Sequence, residues 1–567
     1  MLKYIPIIGL EIHVELNTAS KTFCSCKNDP FIQTPNVNIC EVCLAHPGTL
    51  PVPNKQAIID TVKIARALGC SINENSKFDR KHYFYPDLPK GYQISQYDEP
   101  IGEHGAIELT LTDKNPRGTA RIGITRVHLE EDTAKLAHAI CHPERSEGSS
   151  SRQLDSSVAA KLSQNDNCTL IDFNRAGVPL VEIVSEPDVE SALEAKTYCQ
   201  ELQLIFRYLG VSDADMEKGQ MRCEANVSLQ TEGTWSKEKG MIVAKPGCKL
   251  NSKVEVKNIN SFRAVEKAIE FEIKRQTEML EKGESWAQET RGWDDPTQTT
   301  VRQRSKETSA DYRYFPEPDI PAFHPLEIAA SVTIPELPQT RRERFHKEYG
   351  FSYADAFMLT ADKVWGDFAE NVMSELSEWL HSLPETHECT IAPHPTSPAG
   401  RGGQSHPLPT GEGRVRARPP ICKPAQELAR LAGGWLTTKL MGAMKERTID
   451  IRILKIQPEN FAELIALVYA NRVNSTNAQK ILGAMLDSGV NLDPTHIMEE
   501  KGYGQVSDVG KIGAVVDEVI KNYPAQVAQF KAGKDPIIKF LIGMAMKATE
   551  GSADPVVVEK LLRERLK

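Results

Sequence analysis

Apolar and polar side chains alternate along several segments of this chain, as they do along β-strands that bury one face. In residues 7–17 four aliphatic side chains point one way, whereas Glu11, His13 and Glu15 point the other way. The same alternation recurs at residues 124–132, 181–186, 221–229 and 254–261. We therefore predict a sheet that has one apolar face and one polar face.

A helical period replaces this alternation elsewhere in the chain. It predicts helices among the strands at residues 55–70, 189–210 and 261–282. Ala134 to Ala139 are expected to begin a further helix. From about residue 334 the helical period dominates, at residues 355–380, 425–445, 459–471 and 475–487. Strands thus precede helices, and the length suffices for roughly three or four domains.

Two segments, about 140–167 and about 384–424, follow neither period and are largely polar or rich in proline and glycine. Segments of this composition cannot bury a core, so we predict two flexible surface insertions. Both resemble translated genomic repeat elements inside the coding frame, and we assign them no function.

Composition narrows the class of protein. The net charge of -9 gives no general signature of nucleic-acid binding, so such contacts have to be local, as a slight basic excess in residues 505–567 indicates. No apolar run is long enough to span a bilayer, and the N-terminus shows no signal peptide. We therefore expect a cytoplasmic protein whose twelve cysteines are reduced or bind metal.

Four cysteines occur as two close pairs, Cys24 with Cys26 and Cys40 with Cys43. Four thiolates at this spacing suit a tetrahedral zinc ion, and a site with no open ligand position is structural. The alternative is two incidental pairs of buried cysteines.

The polar faces of the five strands carry charged or amide groups at a period of two, among them His128, Glu130, Asp132, Glu182, Arg222, Glu224, Asn226, Glu255 and Lys257. One such strand is usually a solvated face. Five in one domain predict a polar basin, whose carboxylates need cations such as Mg²⁺ with bound nucleotide phosphates. The chain has neither a P-loop nor a Rossmann glycine motif.

Two further segments have candidate binding residues. Residues 77–93 interleave aromatic side chains with Lys81 and Lys90, which suits either base stacking with phosphate binding or a rigid proline-rich loop. An Asn174–Arg175 turn precedes the strand at residues 181–186 and suits a phosphate.

Ordered motifs along the chain resemble the B subunits of the bacterial aspartyl/glutamyl-tRNA amidotransferase family. The motifs are Gly9–His13, Tyr83–Asp87, His128–Asp132, Asp172–Leu180, Arg222–Ser228 and Asp311–Asp319. The resemblance implies an α+β protein: a sheet-based cradle domain at residues 1–295 for kinase and transamidase chemistry, a hinge and all-α helical domain at 296–504, and a small helical tail at 505–567 that binds tRNA.

The resemblance also implies an activity. Members of the family amidate misacylated Glu-tRNA(Gln), Asp-tRNA(Asn) or both, and the sequence leaves the choice open. They use ATP and Mg²⁺ to phosphorylate the side-chain carboxylate, and ammonia then displaces the phosphate. The implied partners complete a heterotrimer: a glutaminase subunit, which supplies the ammonia, together with a small subunit that ties the other two to each other.

By the same resemblance, Glu11, His13 and Glu130 form the metal and phosphate centre. Lys81 and Lys90 correspond to catalytic lysines near the ammonia entrance. Glu224 and Glu255 are expected to help bind the cofactor, although family members commonly have Asp at the first position. Asn174 and Arg175 are expected to contact phosphate or the tRNA 3′ end. The residues that correspond to a structural zinc knuckle are Cys24, Cys26, Cys40 and Cys43.

Two other hypotheses remain at this point. In the first, the chain is a non-catalytic tRNA-binding scaffold whose acidic strands have only a structural role. In the second, it is an inactive copy of the enzyme that the insertions have damaged. Converging rows of glutamate and histidine favour the enzyme, because a scaffold has no need of them.

Overall fold

The computed structural model describes residues 3–111, 118–139, 168–238, 240–305, 312–382, 423–504, 509–549, 553 and 555–566. The first predicted insertion lies outside the described residues, as does the second up to residue 422. The chain divides into two compact units, Met1–Leu337 and Pro338–Lys567. The predicted domain boundaries at 295 and 504 stay predictions.

The first unit contains all the described strands. They are β1 (Tyr4–Glu15), β2 (Ser71–Ile72), β3 (Asp79–His82), β4 (Tyr92–Ser95), β5 (Gly102–Thr110), β6 (Thr119–Glu131), β7 (Lys135–Ala139), β8 (Cys168–Asp172), β9 (Pro179–Ser185), β10 (Met221–Thr231), β11 (Trp235–Glu238), β12 (Met241–Ala244), β13 (Val254–Ile259), β14 (Glu289–Asp294), β15 (Thr299–Ser305) and β16 (Phe315–Pro316). Its helices are α1 (Lys55–Ala67), α2 (Ala192–Leu209), α3 (Phe262–Glu281) and α4 (Pro325–Ser331).

Nine of these strands form one sheet, in the order β15-β14-β13-β10-β1-β9-β6-β5-β2. Neighbours are antiparallel except β13 and β14. A smaller sheet has the order β16-β3-β4, while β11 pairs with β12 and β7 pairs with β8. All five strands predicted from alternation are therefore present, and β13, β10, β1, β9 and β6 are consecutive in the large sheet.

The apolar face of the large sheet packs against helices. Ile12 on β1 and Ile183 on β9 are fully buried there, together with Leu202 of α2 and Ile269 of α3. Helix α2 begins where the Ser191 side chain accepts the Glu194 N–H, and Gly210 ends it in the left-handed conformation, with φ 69°. Burial of this face leaves the other face of the sheet for polar side chains.

The second unit is helical where it is described. Its helices are α5 (Pro338–Arg344), α6 (Tyr353–Thr360), α7 (Lys363–Ser382), α8 (Lys423–Gly434), α9 (Met441–Glu446), α10 (Pro458–Tyr469), α11 (Ser475–Asp487), α12 (Pro494–Glu500), α13 (Val509–Asn522), α14 (Pro524–Lys531), α15 (Ile538–Ala548) and α16 (Pro555–Leu566). Phe345–Tyr349 and Trp435–Leu440 are π-helical turns, and Ile451–Ile453 and Asp535–Ile537 are 3₁₀ turns.

The helices of the second unit bury two separate apolar clusters. One contains Phe345, Leu436 and Phe461, and the other joins α13, α15 and α16 through residues such as Leu541 and Leu562. The α+β class is thus confirmed. Every helix within the described ranges is too short or too polar to cross a bilayer.

One local prediction was wrong. Residues 134–139 do not begin a helix: β7 pairs with β8 from Lys135 opposite Asp172 onward, and this tertiary pairing outweighs local helix propensity. Residues 355–380 are helical as predicted, in two helices, and α7 begins where the Asp362 side chain accepts the Val364 N–H.

Candidate active site

The polar basin arises from strand register. On β1, His13 lies opposite Glu182 of β9 on one side and opposite Arg222 of β10 on the other. Glu182 in turn lies opposite His128 of β6. Because paired residues in a sheet point to the same face, three neighbouring strands bring two histidines around one carboxylate.

Glu182 is the centre of this group. Its Oε2 lies 3.4 Å from His13 Nε2 and 3.6 Å from His128 Nε2. Its Oε1 accepts a hydrogen bond of 3.3 Å from Arg126 Nη2. The Glu182 side chain is only 4% exposed, so these partners replace water around a buried charge.

Glu130 and Glu11 extend the group on either side. Glu130 Oε1 lies 3.6 Å from His13 Nε2, and its Oε2 accepts a 3.1 Å hydrogen bond from the Ser95 hydroxyl. Glu11 Oε1 lies 3.7 Å from the same His13 nitrogen. The three residues predicted as the metal and phosphate centre are therefore brought together.

The electrostatics of the basin favour a cation. Burial on its own would lower the pKa of His13, but the hydrogen bond to Glu182 and the charges of Glu182, Glu130 and Glu11 raise it to about 9. Burial and the charge of Glu182 raise the pKa of Glu11 above its usual value. Both pKa shifts arise because several carboxylates lie close together where little water reaches them.

Lys81 supplies part of the compensating charge. Burial would lower its pKa, but the carboxylates of Glu130 and Glu182 raise it above the usual value. Its Nζ lies 5.3 Å from the centre of the Tyr312 ring. Burial also raises the pKa of the neighbouring Tyr314 to about 12, so this hydroxyl stays neutral.

Glu224 and Glu255 lie on the next strands of the same face. Glu224 is opposite Glu11 in the β1–β10 pairing, and Lys257 Nζ lies 2.7 Å from Glu224 and 3.6 Å from Glu255. Thr290 donates to Glu255 at 2.8 Å. The two predicted cofactor carboxylates thus continue the basin towards β13.

Within the basin, two sets of ligand atoms meet the spacing of a metal site: Glu11, His13 and Glu182, and His128, Glu130 and Glu182, each set with all atoms within 4.8 Å of one another. Carboxylate and imidazole groups suit a hard or borderline divalent cation, so the residues fit Mg²⁺ or Mn²⁺. The sequence-based set of ligands omitted Glu182 and His128. The sequence did contain a signal for these two residues, because both follow the period of two on predicted strands.

A cavity of about 950 Å³ begins at Glu11 and extends over the polar face towards the β11–β12 hairpin. Its lining includes the apolar Ile124, Val184 and Ile242, and the polar Asn226, Ser228 and Glu186. This mixture of apolar and polar lining groups suits an organic ligand that also has polar groups.

The structure does not bring Lys90, Asn174 or Arg175 into contact with the histidines. Lys90 Nζ lies 2.5 Å from Glu131 Oε1. Arg175 donates to the carbonyl oxygens of Thr133 and Ala134 at 2.9 Å each. The Lys90 contact lies at the end of β6, and the Arg175 contacts hold the segment that follows it, beside the basin.

Asn174 is fully buried and holds the cysteine loop. Its Oδ1 accepts the N–H groups of Val37 and Asn38 at 3.1 and 2.9 Å, and its Nδ2 donates to Thr34 O at 2.8 Å. All these partners lie between the two cysteine pairs. In this conformation the Asn174 side-chain amide forms hydrogen bonds within the protein.

The four cysteines converge on one point. Cys43 Sγ lies 3.3 Å from Cys24, 3.7 Å from Cys40 and 3.8 Å from Cys26. A tetrahedral zinc with Zn–S bonds of about 2.3 Å separates its sulfurs by about 3.8 Å, so the arrangement fits. The hydrogen bond from Cys24 lowers the pKa of Cys43 to about 4, which favours a thiolate.

Comparison with known proteins identifies the family. Residues 6–330 match the family model described as the GatB/GatE catalytic domain, and residues 421–566 match the one described as the GatB domain. The B subunit of the aspartyl/glutamyl-tRNA(Asn/Gln) amidotransferase from Persephonella marina is 40% identical over 100% of both chains. The chain belongs to the family of B subunits of these amidotransferases.

Other B subunits of these enzymes are similarly related over the full length. The Rippkaea orientalis protein is 39% identical, covering 100% of this chain and 98% of its own, and the Thermosynechococcus vestitus protein is 40% identical, covering 100% and 97%. The catalytic-domain match contains every residue of the histidine–carboxylate basin and the four cysteines. The resemblance inferred from the motifs is therefore confirmed.

Proposed function

We propose that this chain houses the kinase and transamidation site of an amidotransferase that converts Glu-tRNA(Gln), Asp-tRNA(Asn) or both to the amidated form. The observation that carries the proposal is the convergence of Glu11, His13, His128, Glu130 and Glu182 on one sheet face, where the last three are buried. Folding alone gives no reason to gather these groups, because buried charges are costly unless a cation or ligand uses them.

The chemistry needs an acyl phosphate. A carboxylate is a poor acyl electrophile, so its oxygen first takes the γ-phosphoryl group of ATP and ADP leaves. Ammonia then attacks the acyl carbon, and inorganic phosphate leaves as the amide forms. The ligand sets around Glu182 would hold Mg²⁺, which would neutralise charge on the phosphates. Lys81 and Arg126 are placed to stabilise negative charge at the same point.

The cavity beside Glu11 supports the assignment of ATP. It begins at Glu11, one of the proposed metal ligands, so phosphates at that end leave room for the nucleoside along the sheet. The cysteine cluster supports a structural zinc, since its four sulfurs leave no open ligand position. We expect the working complex to include two partners, a glutaminase subunit plus a small linking subunit, and cytoplasmic location stays a prediction.

The test is ATP hydrolysis by the reconstituted complex, with and without Glu-tRNA(Gln) or Asp-tRNA(Asn), for wild type and Glu130→Gln. We expect misacylated tRNA to stimulate turnover and the substitution to lower kcat by about 100-fold or more, the scale for removal of one charge-stabilising group. Binding of tRNA, measured by filter retention, should stay unchanged.

Glu108→Gln is the matched control, because Glu108 lies on β5 in an exposed ion pair with Arg121. It makes the same chemical change in the same sheet and should leave turnover unchanged. The scaffold hypothesis predicts instead that Glu130→Gln behaves like Glu108→Gln. That result would contradict the site assignment even though the family is known.

A further inference from the structure

Lys21 is a lysine with no exposed surface, located between the cysteine cluster and the turn that precedes β9. Its Nζ lies 3.0 Å from Asn38 O, 3.5 Å from Phe173 O and 3.6 Å from Cys43 Sγ. An ammonium has three N–H donors, so these acceptors account for all of them. Full burial of a lysine is uncommon unless its charge is compensated.

Among these three acceptors, only the Cys43 sulfur can carry a full charge. Two carbonyl dipoles solvate an ammonium partly, but they do not neutralise it. A nearby thiolate does so at this distance. The position of Lys21 is therefore explained if the cysteine cluster is anionic.

A zinc ion with four thiolates is anionic, with a formal charge of about -2. Groups that donate hydrogen bonds to metal ligands orient these ligands and adjust the affinity for the metal. We propose that Lys21 is a positioning residue for the four-cysteine centre, whose ammonium offsets the excess thiolate charge and ties the centre to the Phe173–Gly177 turn. This inference rests on the structural zinc proposed above.

The link to the active site runs through that turn. Besides the Lys21 bond to Phe173 O, the Thr22 N–H and hydroxyl both donate to Gly177 O, at 2.8 and 2.9 Å. Two residues later the chain enters β9, which carries Glu182 at the centre of the basin. Lys21 and Thr22 thus join the cysteine loop to the strand on which the metal ligands meet.

The experiment measures zinc affinity of the full-length chain by competition with a chromophoric chelator, and the thiolate-to-metal charge-transfer band of the Co²⁺-substituted protein. Lys21→Met keeps an unbranched apolar side chain and removes the charge. Lys21→Gln keeps an N–H donor for the carbonyls and serves if the Met variant does not fold. Lys27→Met is the control, because Lys27 follows Cys26 directly but is 73% exposed and pairs with Asp29.

We expect both Lys21 variants to bind zinc about 10- to 100-fold more weakly than wild type, with a shifted Co²⁺ band, and Lys27→Met to match wild type. If the Lys21 variants bind zinc like wild type, or if Lys27→Met weakens binding equally, the role of Lys21 is refuted and the zinc centre stands. If the wild type itself binds no zinc, the proposed centre fails and the role of Lys21 fails with it.

Discussion

Replacement of Arg80 by methionine is expected to destabilise the first unit. Arg80 on β3 donates from Nε and Nη2 to the two oxygens of Glu317, at 2.7 Å each. The Glu317 side chain has no exposed surface, and the guanidinium lies 4.5 Å from the centre of the Tyr92 ring. The pair fastens the segment around β16 to β3, where Arg80 lies opposite Phe315.

The expected cost follows from the burial of Glu317. Removing one partner of a buried ion pair costs about 3–5 kcal/mol, because it leaves a charge without compensation. Arg80 is 20% exposed and the Asp319 N–H still donates to Glu317, so we expect the lower end of that range. With an unfolding entropy of about 2.1 cal/mol/K per residue over Met1–Leu337, about 3 kcal/mol lowers Tm by about 4 °C.

Urea and thermal unfolding of the full chain measure this change. The double-mutant cycle with Glu317→Gln should give a coupling energy of about 1–3 kcal/mol. The control is Arg121→Met, which breaks an ion pair whose side chains are 70% and 48% exposed and should cost less than about 1 kcal/mol. If Arg80→Met costs no more than Arg121→Met, burial of Glu317 does not control the strength of this pair, and the reasoning is wrong.

The basin and the cysteine cluster give three more predictions. Glu182→Gln should weaken Mg²⁺ or Mn²⁺ binding by about 100-fold or more, since Glu182 belongs to both ligand sets; unchanged binding in a Mn²⁺ titration would exclude it as a ligand. Cys40→Ser should abolish the rise in Tm that zinc gives the wild type, and a persistent rise would place the zinc elsewhere. Burial, and then the charge of Asp132, raise the pKa of Glu15 from 4.5 to about 8, so the folded state holds a proton that the unfolded state releases. The stability that this proton contributes is present below the unfolded pKa and is lost as the pH rises towards 8. In urea unfolding across this pH range, the Glu15→Gln variant should lack this loss of stability. Equal slopes of the free energy of unfolding against pH for both proteins would contradict the pKa shift.

Local patterns in the sequence were enough to predict which side chains lie on the polar face of each strand. Alternation along β1 put Glu11 and His13 on one face, and alternation along β6 did the same for His128 and Glu130, because side-chain direction in a strand depends only on the strand itself. The cysteine pairs were equally local, since a short turn brings each pair together. The α+β class and the family followed from patterns and motifs of this kind.

Register and strand order needed the tertiary structure. Glu182 stands between His13 and His128 only because β9 lies between β1 and β6, and no local pattern encodes which strands become neighbours. The same long-range packing directs Asn174 to the cysteine loop and converts residues 135–139 into a strand. Lys21 is the clearest case: a lysine is normally exposed, and only the folded chain encloses it between a sulfur and a turn about 150 residues away.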